Sequence, residues 1–168
     1  AEVNITKGVV TAVKSNGFFI QDYTVTTRKN GGILVNCTST NCDKTGFEND
    51  KVAVGDNVTV KSKYVGYKDC QLWITTQGDE RIQVNKTDGT KSIGAYSLPV
   101  KKMNSGVHND YNGSLITLDN VKVVNCADKY CAFEDANADQ TSATNYIKTS
   151  TVNTIKKNLE KNIDQYQL

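Results

Sequence analysis

Histidine, proline, tryptophan, methionine and arginine are all scarce in this chain of 168 residues. It has one His, one Pro, one Trp and one Met, and Arg28 and Arg81 are its only arginines. His108 lies in a stretch rich in Gly, Asn and Asp with no evident nucleophile partner, so no Ser/His or Cys/His catalytic set is predicted. The carboxylates show no spacing typical of an acid/base pair. We therefore expect no enzymatic activity.

Long apolar runs and a strong charge imbalance are also missing. No stretch reaches the roughly 20 apolar residues of a membrane span, so none is predicted. The formal net charge is +2, and the lysines are scattered in small clusters such as Lys61 with Lys63. Such clusters are typical of solvated surfaces, whereas proteins that bind nucleic acid concentrate their basic residues on one face. The composition is that of an ordinary soluble globular protein.

What the chain does contain is a series of short β-rich runs separated by turn residues. The pair Asn16-Gly17 between the first two runs predicts a β-hairpin, with both residues at the centre of the turn. Five such runs within about 75 residues predict an all-β domain built as a small barrel. The runs are Val9–Val13, Phe18–Ile20, Ile33–Val35, Val58 with Val60, and Gln71–Ile74.

The residue order within these runs also matches the pattern of a known type of domain. They closely resemble the OB-fold domain of secreted, nonspecific bacterial nucleases, over roughly residues 5–85 and more weakly to about residue 124. The resemblance implies a five-stranded OB-fold barrel over residues 1–85. In those enzymes the domain is an accessory part, and their catalytic domain has no counterpart here. The segments that carry the resemblance are Gly8–Val13, Asn16–Asp22, Gly32–Val35, Val52–Val60 and Gln71-Leu72.

An internal repeat is indicated later in the chain. The alignment runs without a gap at one constant offset, which indicates duplication. We therefore expect a connector over residues 86–113 and a second, incomplete OB-like unit over residues 114–168. That unit should end in an amphipathic helix over residues 152–167, where apolar residues recur at helical spacing. The aligned pairs are Val10 with Val123, Ile20 with Phe133, Gln21 with Glu134, Asp22 with Asp135, Leu34 with Ile147, and Thr38 with Thr151.

The predicted second unit has no fourth and fifth strands of its own. Strands with unpaired edges are costly unless another segment completes them. Strands from residues 76–120 could pair with it, a neighbouring copy could donate the missing strands, or a further C-terminal domain could have been removed. The sequence leaves all three explanations open.

Five cysteines fall as two close pairs and one single residue. With one histidine in the chain, a zinc site is a poor interpretation, and disulfides in an oxidising compartment are a better one. Cys126 and Cys131 could bridge a hairpin, whereas Cys37, Cys42 and Cys70 could supply one bond and leave one thiol. Five reduced, buried cysteines are the alternative.

The chain begins at Ala1-Glu2 without an initiating Met or a leader, as in a secreted protein whose signal peptide has been removed, and equally as in a trimmed sequence. We expect secretion. Five Asn-x-Ser/Thr sequons are glycosylation candidates. They lie at Asn4, Asn36, Asn57, Asn85 and Asn112.

One stretch has the pattern of a calcium loop, with oxygen ligands at alternate positions. Gln140 stands where such a loop has Gly, and Tyr146 stands where it has Glu, so an ordinary Asx-turn loop is the alternative. Calcium is the only cofactor that the sequence suggests. The four ligands would be Asp135, Asn137, Asp139 and Thr141.

Two functions compete. In the first, the chain is a non-catalytic, secreted structural or interaction subunit that joins copies of itself through β-strand completion. In the second, it is an extracellular accessory module that binds single-stranded nucleic acid or another polymer, with aromatic residues on the bases and lysines on the phosphates. The same aromatic residues would otherwise belong to the core. The candidates are Phe18, Phe19, Tyr64, Tyr67, Trp73, Lys14, Lys61 and Lys63.

Overall fold

A computed structural model describes residues 2–27, 29–68, 71–99, 110–119, 121–126, 130–135 and 145–148. Apart from 3-10 turns at Glu48–Asp50 and at Asp110 and Tyr111, all regular structure in these residues is β-strand, which confirms the predicted all-β class. None of them forms a helix long and apolar enough to cross a membrane. The helix predicted over residues 152–167 lies outside the described residues.

The chain divides into two compact units, and eight strands belong to the first. This unit extends to Gly94 and also includes Tyr111–Leu115. Its strands are β1 (Val3–Lys14), β2 (Gly17–Asp22), β3 (Gly32–Val35), β4 (Cys42–Thr45), β5 (Asp56–Ser62), β6 (Tyr64–Lys68), β7 (Gln71–Thr75) and β8 (Ile82–Thr90).

These eight strands form one sheet in the order β4-β8-β5-β1-β2-β3-β7-β6. Neighbours are antiparallel except for the pairs β3–β7 and β4–β8. Four strands lie between β5 and β6 in this order, although a single residue, Lys63, separates them in the chain. The sheet must therefore curl back on itself. The buried Ser62 at the end of β5 reaches across this curl, where its hydroxyl donates to the Thr75 carbonyl of β7 at 2.8 Å.

The core fills the inner face of the curl. Burial alternates along β5, where Val58 and Val60 are fully buried and the residues between them are not, as expected for a strand with one face inward. Seven of the eight strands contribute one or two apolar residues to this core. The core consists of Val10, Phe18, Ile20, Val35, Cys37, Cys42, Val58, Val60, Ile74, Ile82 and Val84.

The predicted β1–β2 hairpin is confirmed, but the predicted position of its turn is wrong by one residue. Lys14 pairs with Gly17, so Ser15 and Asn16 form the two-residue loop and Gly17 begins β2. Gly17 has a φ of +155°, and a Cβ on it would overlap the Val35 carbonyl. The close approach of β3 therefore requires this glycine, not a type I′ turn.

β8 is not among the five strands that the sequence predicted. It is a separate strand that pairs antiparallel with β5 and parallel with β4. Val84 lies opposite Val60 and is buried with it. The outer edge of β5 is therefore covered by a strand that begins at the end of the predicted first domain (residues 1–85) and continues into the predicted connector (residues 86–113).

A short segment, Tyr111–Leu115, packs on the outer face of β2 and β3. The side-chain oxygen of Gln21, which is fully buried, accepts a hydrogen bond from the Leu115 amide at 2.9 Å. Gly32 of β3 lies so close to this segment that a Cβ on it would overlap the Gly113 carbonyl. A segment distant in sequence from β2 and β3 thus covers part of this face of the first unit.

The second unit contains a parallel pair and a three-stranded antiparallel sheet among its described residues. The sheet repeats the register of the first hairpin: Val121 pairs with Asp135 as Gly8 pairs with Asp22, and both ladders shift after the third pair. The pairing with the third strand differs by one residue: Phe19 pairs with Leu34, whereas Ala132 at the equivalent place pairs with Tyr146 and not with Ile147. The strands are β9 (Tyr96–Pro99), β10 (Ile116–Asp119), β11 (Val121–Cys126), β12 (Tyr130–Asp135) and β13 (Asn145–Lys148).

The packing at Gly32 makes a testable prediction. In Gly32→Ala the added methyl group must push the Gly113 backbone away, so we expect the free energy of unfolding to fall by about 1–3 kcal/mol in urea denaturation. Gly94→Ala is the matched control, because a Cβ there has no atom within 4 Å. Equal stability of the two variants would contradict the described position of Tyr111–Leu115.

Candidate functional site

A row of apolar residues crosses the outer face of the sheet. Residues directly opposite one another in paired strands project on the same side. Neighbouring positions such as Phe18 and Ile74 point into the core, so the row lies on the opposite face. We call Phe19, Leu34 and Trp73 the aromatic row. The register places Ala12 opposite Phe19, Phe19 opposite Leu34, Leu34 opposite Trp73, and Trp73 opposite Gly66.

The two ends of the aromatic row are partly exposed, whereas Leu34 between them is buried. The Lys14 ammonium lies 5.8 Å from the centre of the Phe19 ring, within cation–π range. At the other end, the Trp73 indole occupies the space above Gly66, where a Cβ would lie 2.5 Å from Nε1. The row is therefore a narrow apolar strip with a cation at one end.

The aromatic residues that the sequence suggested as one binding surface lie on different faces of the sheet. Phe18 is 2% exposed and belongs to the core. It cannot stack on a base, so its assignment to the candidate surface is wrong. Tyr64 shares the outer face with Trp73, since its partner Thr75 lies two residues from Trp73 on β7. Tyr67 projects from the opposite face and is 67% exposed. Phe19, Trp73 and Tyr64 are thus the candidates on one face.

The candidate lysines also lie at two different places on the surface. Lys14 lies beside Phe19, whereas Lys61 and Lys63 line a shallow recess together with Glu2 and Glu80. Lys63 forms an ion pair with Glu80 at 2.7 Å, and this hydrogen bond together with the Glu80 charge raises the pKa of Lys63. Charges of both signs alternate in this recess, which is unlike a phosphate-binding strip.

Two lysines that sequence reasoning missed lie nearer to Lys14. Lys44 and Lys51 line an open pocket of 370 Å³ together with Lys14. The Lys44 ammonium donates to the Asp50 carbonyl at 2.6 Å, which fixes its position at the pocket. No local signal marked these residues, because only the fold brings residues 44 and 51 close to residue 14.

A disulfide between Cys37 and Cys42 forms beside this pocket. It is one of the bonds left open by the sequence. Cys70, the third cysteine of that group, lies outside the described residues. In the second unit the register places Cys126 directly opposite Cys131 on neighbouring strands.

The two ends of the main sheet differ in character. β4 is a short edge strand with charged residues at Asp43 and Lys44, the features that protect an edge from further pairing. At the other end, β6 exposes Val65 by 45% and Tyr67 by 67%. Leu72, opposite Tyr67 on β7, is exposed by 45%. We call Val65, Tyr67 and Leu72 the edge patch.

The predicted calcium ligands Asn137, Asp139 and Thr141 lie outside the described residues, as does His108, and Asp135 ends β12. No group of three or more metal-ligand side chains occurs in the part of the chain that the structure describes.

Among the glycosylation candidates, Asn4 is exposed, and Asn36, Asn57, Asn85 and Asn112 are partly buried. The side-chain oxygen of Asn57 is buried and accepts no hydrogen bond among the described residues. Asn4 is therefore the sequon whose position in the fold best suits a glycan.

No family model and no curated protein matches this chain. The aromatic row, the edge patch and the strands that carry them are the surface features that bear on its function.

The packing of the sole tryptophan gives a second prediction. In Gly66→Ala the new methyl group collides with the Trp73 indole, so we expect the indole to leave the aromatic row and its fluorescence emission to shift to longer wavelength. Gly94→Ala serves as the control and should leave the emission unchanged. An unchanged spectrum in Gly66→Ala would show that the indole does not lie over β6.

Proposed function

We propose that this chain is a non-catalytic, extracellular interaction subunit that joins copies of itself by β-strand completion. The observation that carries the proposal is β6, a strand at the end of the sheet whose Val65 and Tyr67 side chains are exposed. A strand edge with apolar side chains is a template for pairing with another chain. The opposite edge, β4, has the charges that discourage such pairing.

The proposal includes an OB-type barrel in the first unit, as the resemblance to nuclease accessory domains implied. It is supported by the connectivity: β1 pairs with both β2 and β5, and β3 runs parallel to β7. Only Lys63 interrupts β5 and β6, so together they serve as one bent strand. Counted in this way, and with β4 and β8 set aside as additions at one edge, five strands form a curled sheet of the kind that closes small Greek-key barrels.

Secretion is part of the proposal as well. Its support is the Cys37–Cys42 disulfide, since disulfides persist in oxidising compartments. The exposed sequon at Asn4 suits a glycan on the surface of such a protein.

Light scattering after size exclusion tests self-association. We expect the wild type to form a dimer or a larger species, and Val65→Lys to be a monomer, because a lysine at the centre of a pairing edge opposes further pairing. Val54→Lys is the matched control, since Val54 is 65% exposed but lies in a turn outside β6, and it should behave as the wild type. A wild type that stays monomeric at its highest soluble concentration rules out the proposal.

A second function, binding of a single-stranded polymer such as nucleic acid, is favoured by one observation. The aromatic row offers Phe19 and Trp73 on one face, and Lys14 at its end adjoins the pocket that holds Lys44 and Lys51. Stacking on aromatic side chains with lysines along the backbone is how single strands are bound without sequence preference. The net charge of +2 speaks against high affinity.

Titration with oligo(dT) at low salt, followed by quenching of Trp73 fluorescence, tests this second function. If a base stacks on the aromatic row, Phe19→Ala should weaken binding about tenfold. Tyr67→Ala is the control on the opposite face and should bind as the wild type. Absence of quenching, or binding that does not weaken with added salt, would exclude a nucleic-acid site here.

A further inference from the structure

The pocket beside the first hairpin carries an unbalanced positive charge. Among the described residues that line it, three lysines face one aspartate, which leaves two positive charges. The lysines are Lys14, Lys44 and Lys51, and the aspartate is Asp50. In the part of the chain that the structure describes, none of these three lysines forms an ion pair with a carboxylate. An anionic ligand would supply the charge that the pocket lacks.

Three separate parts of the chain bring these lysines to one pocket. Lys14 ends β1 at the first hairpin, Lys44 lies in β4, and Lys51 directly follows the 3-10 turn. The Lys44 ammonium donates to the Asp50 carbonyl at 2.6 Å, so its position is set before a ligand arrives. A side chain that is already fixed loses less conformational entropy when a ligand binds.

The donors and the size of the pocket suit a single phosphate group with part of the molecule that carries it. The hydroxyl groups of Ser15 and Ser39 lie at the same pocket and can donate to phosphate oxygens. The volume of 370 Å³ is that of a small-molecule site. The lysines meet at one recess, whereas a surface that follows the successive phosphates of a strand is an extended groove.

The charge of the pocket favours a phosphate at the end of a molecule over one within a strand. A phosphate monoester carries a charge of about −1.5 to −2 at pH 7, which balances the two positive charges of the lining. A phosphate that links two nucleotides carries a single negative charge and leaves part of the lining charge unbalanced.

An aromatic ring lies next to this pocket. Lys14 lines the pocket, and its ammonium also lies 5.8 Å from the centre of the Phe19 ring. Phe19 is partly exposed and belongs to the aromatic row. A ligand that joins a phosphate to a planar ring can therefore contact both, with Lys14 between the two groups. A nucleotide has this composition, and its base can stack on an aromatic side chain.

We propose that this pocket binds the terminal phosphate monoester of a nucleotide, either a free mononucleotide or the end of a single strand. The phosphate lies among Lys14, Lys44 and Lys51, and the base stacks on Phe19. The inference is independent of self-association. It rests on the second function proposed above and specifies the group that is recognised, which is a strand end and not an internal phosphate.

Calorimetric titration with oligo(dT) tests the inference, because the end group can be changed while the strand is kept. We expect a phosphate at the 5′ or the 3′ end to tighten binding about fivefold or more over a strand with hydroxyls at both ends, since hydrogen bonds to charged groups are the strong ones. The gain should shrink at about pH 5, because the monoester takes up a proton below its second pKa of about 6. Thymidine monophosphate separates the two sources: affinity equal to that of the phosphorylated strand identifies the free mononucleotide, and weaker affinity identifies the strand end.

Two lysine variants test the pocket itself. Lys44→Gln and Lys51→Gln should each reduce the gain from the terminal phosphate about threefold or more, because each removes one charged donor. Lys7→Gln is the matched control, since Lys7 is an exposed lysine of β1 outside the lining of this pocket, and it should keep the gain. Circular dichroism verifies that each variant is folded.

The outcomes separate this inference from the second function. If the strand binds equally well with and without a terminal phosphate, the inference is wrong while binding of single strands stands. If neither strand binds, both fail. If inorganic phosphate binds as tightly as the phosphorylated strand, the pocket does not recognise a nucleotide, and the proposal is overturned. An equal loss of the gain in Lys7→Gln would assign the effect to net charge and not to the pocket.

Discussion

The covalent link between β5 and β6 is the constraint on which the first unit depends. One residue joins two strands that have four other strands between them in the sheet, so the sheet has to curl. The buried Ser62 stabilises the bend from both sides: its hydroxyl accepts from the Tyr64 amide at 3.2 Å and donates to the Thr75 carbonyl at 2.8 Å. The curl encloses the core on one face and leaves the aromatic row on the other.

The same bend explains why the two edges of the sheet differ. The ladder between β1 and β5 ends at the pair of Val3 with Ser62, so β6 continues past it with β7 as its described neighbour. The other edge is fixed more extensively: β4 begins at the disulfide and pairs with β8, and the Arg81 guanidinium donates to the Cys42 carbonyl at 2.6 Å. One edge strand is therefore anchored and charged, and the other presents apolar side chains.

Local pattern was sufficient for the first hairpin and the all-β class, and insufficient for the surfaces. Alternation and turn residues predicted the first hairpin and the all-β class, because both depend on neighbours in the sequence. Phe18 and Phe19 look alike in sequence, yet the register sends one into the core and the other to the outer face. Val65 and Leu72 were missed because their exposure depends on which strand ends the sheet, and pairing between distant segments decides that. β8 was missed for the same reason.

The repeated hairpin gives the strongest physical argument that the two units share an origin. The ladders β1–β2 and β11–β12 have the same pairs at one constant offset, and both are irregular at the equivalent step, after Val10 and after Val123. A β-bulge is set by its own hairpin, and its recurrence at an equivalent place is not required by an all-β fold. β11 and β13 then correspond to β1 and β3, which in the first unit pair further with β5 and β7. Duplication would therefore copy into the second unit two strands, β11 and β13, whose equivalents in the first unit need further partners. A chain that has β6 at a sheet edge is suited to provide such pairing by joining other chains.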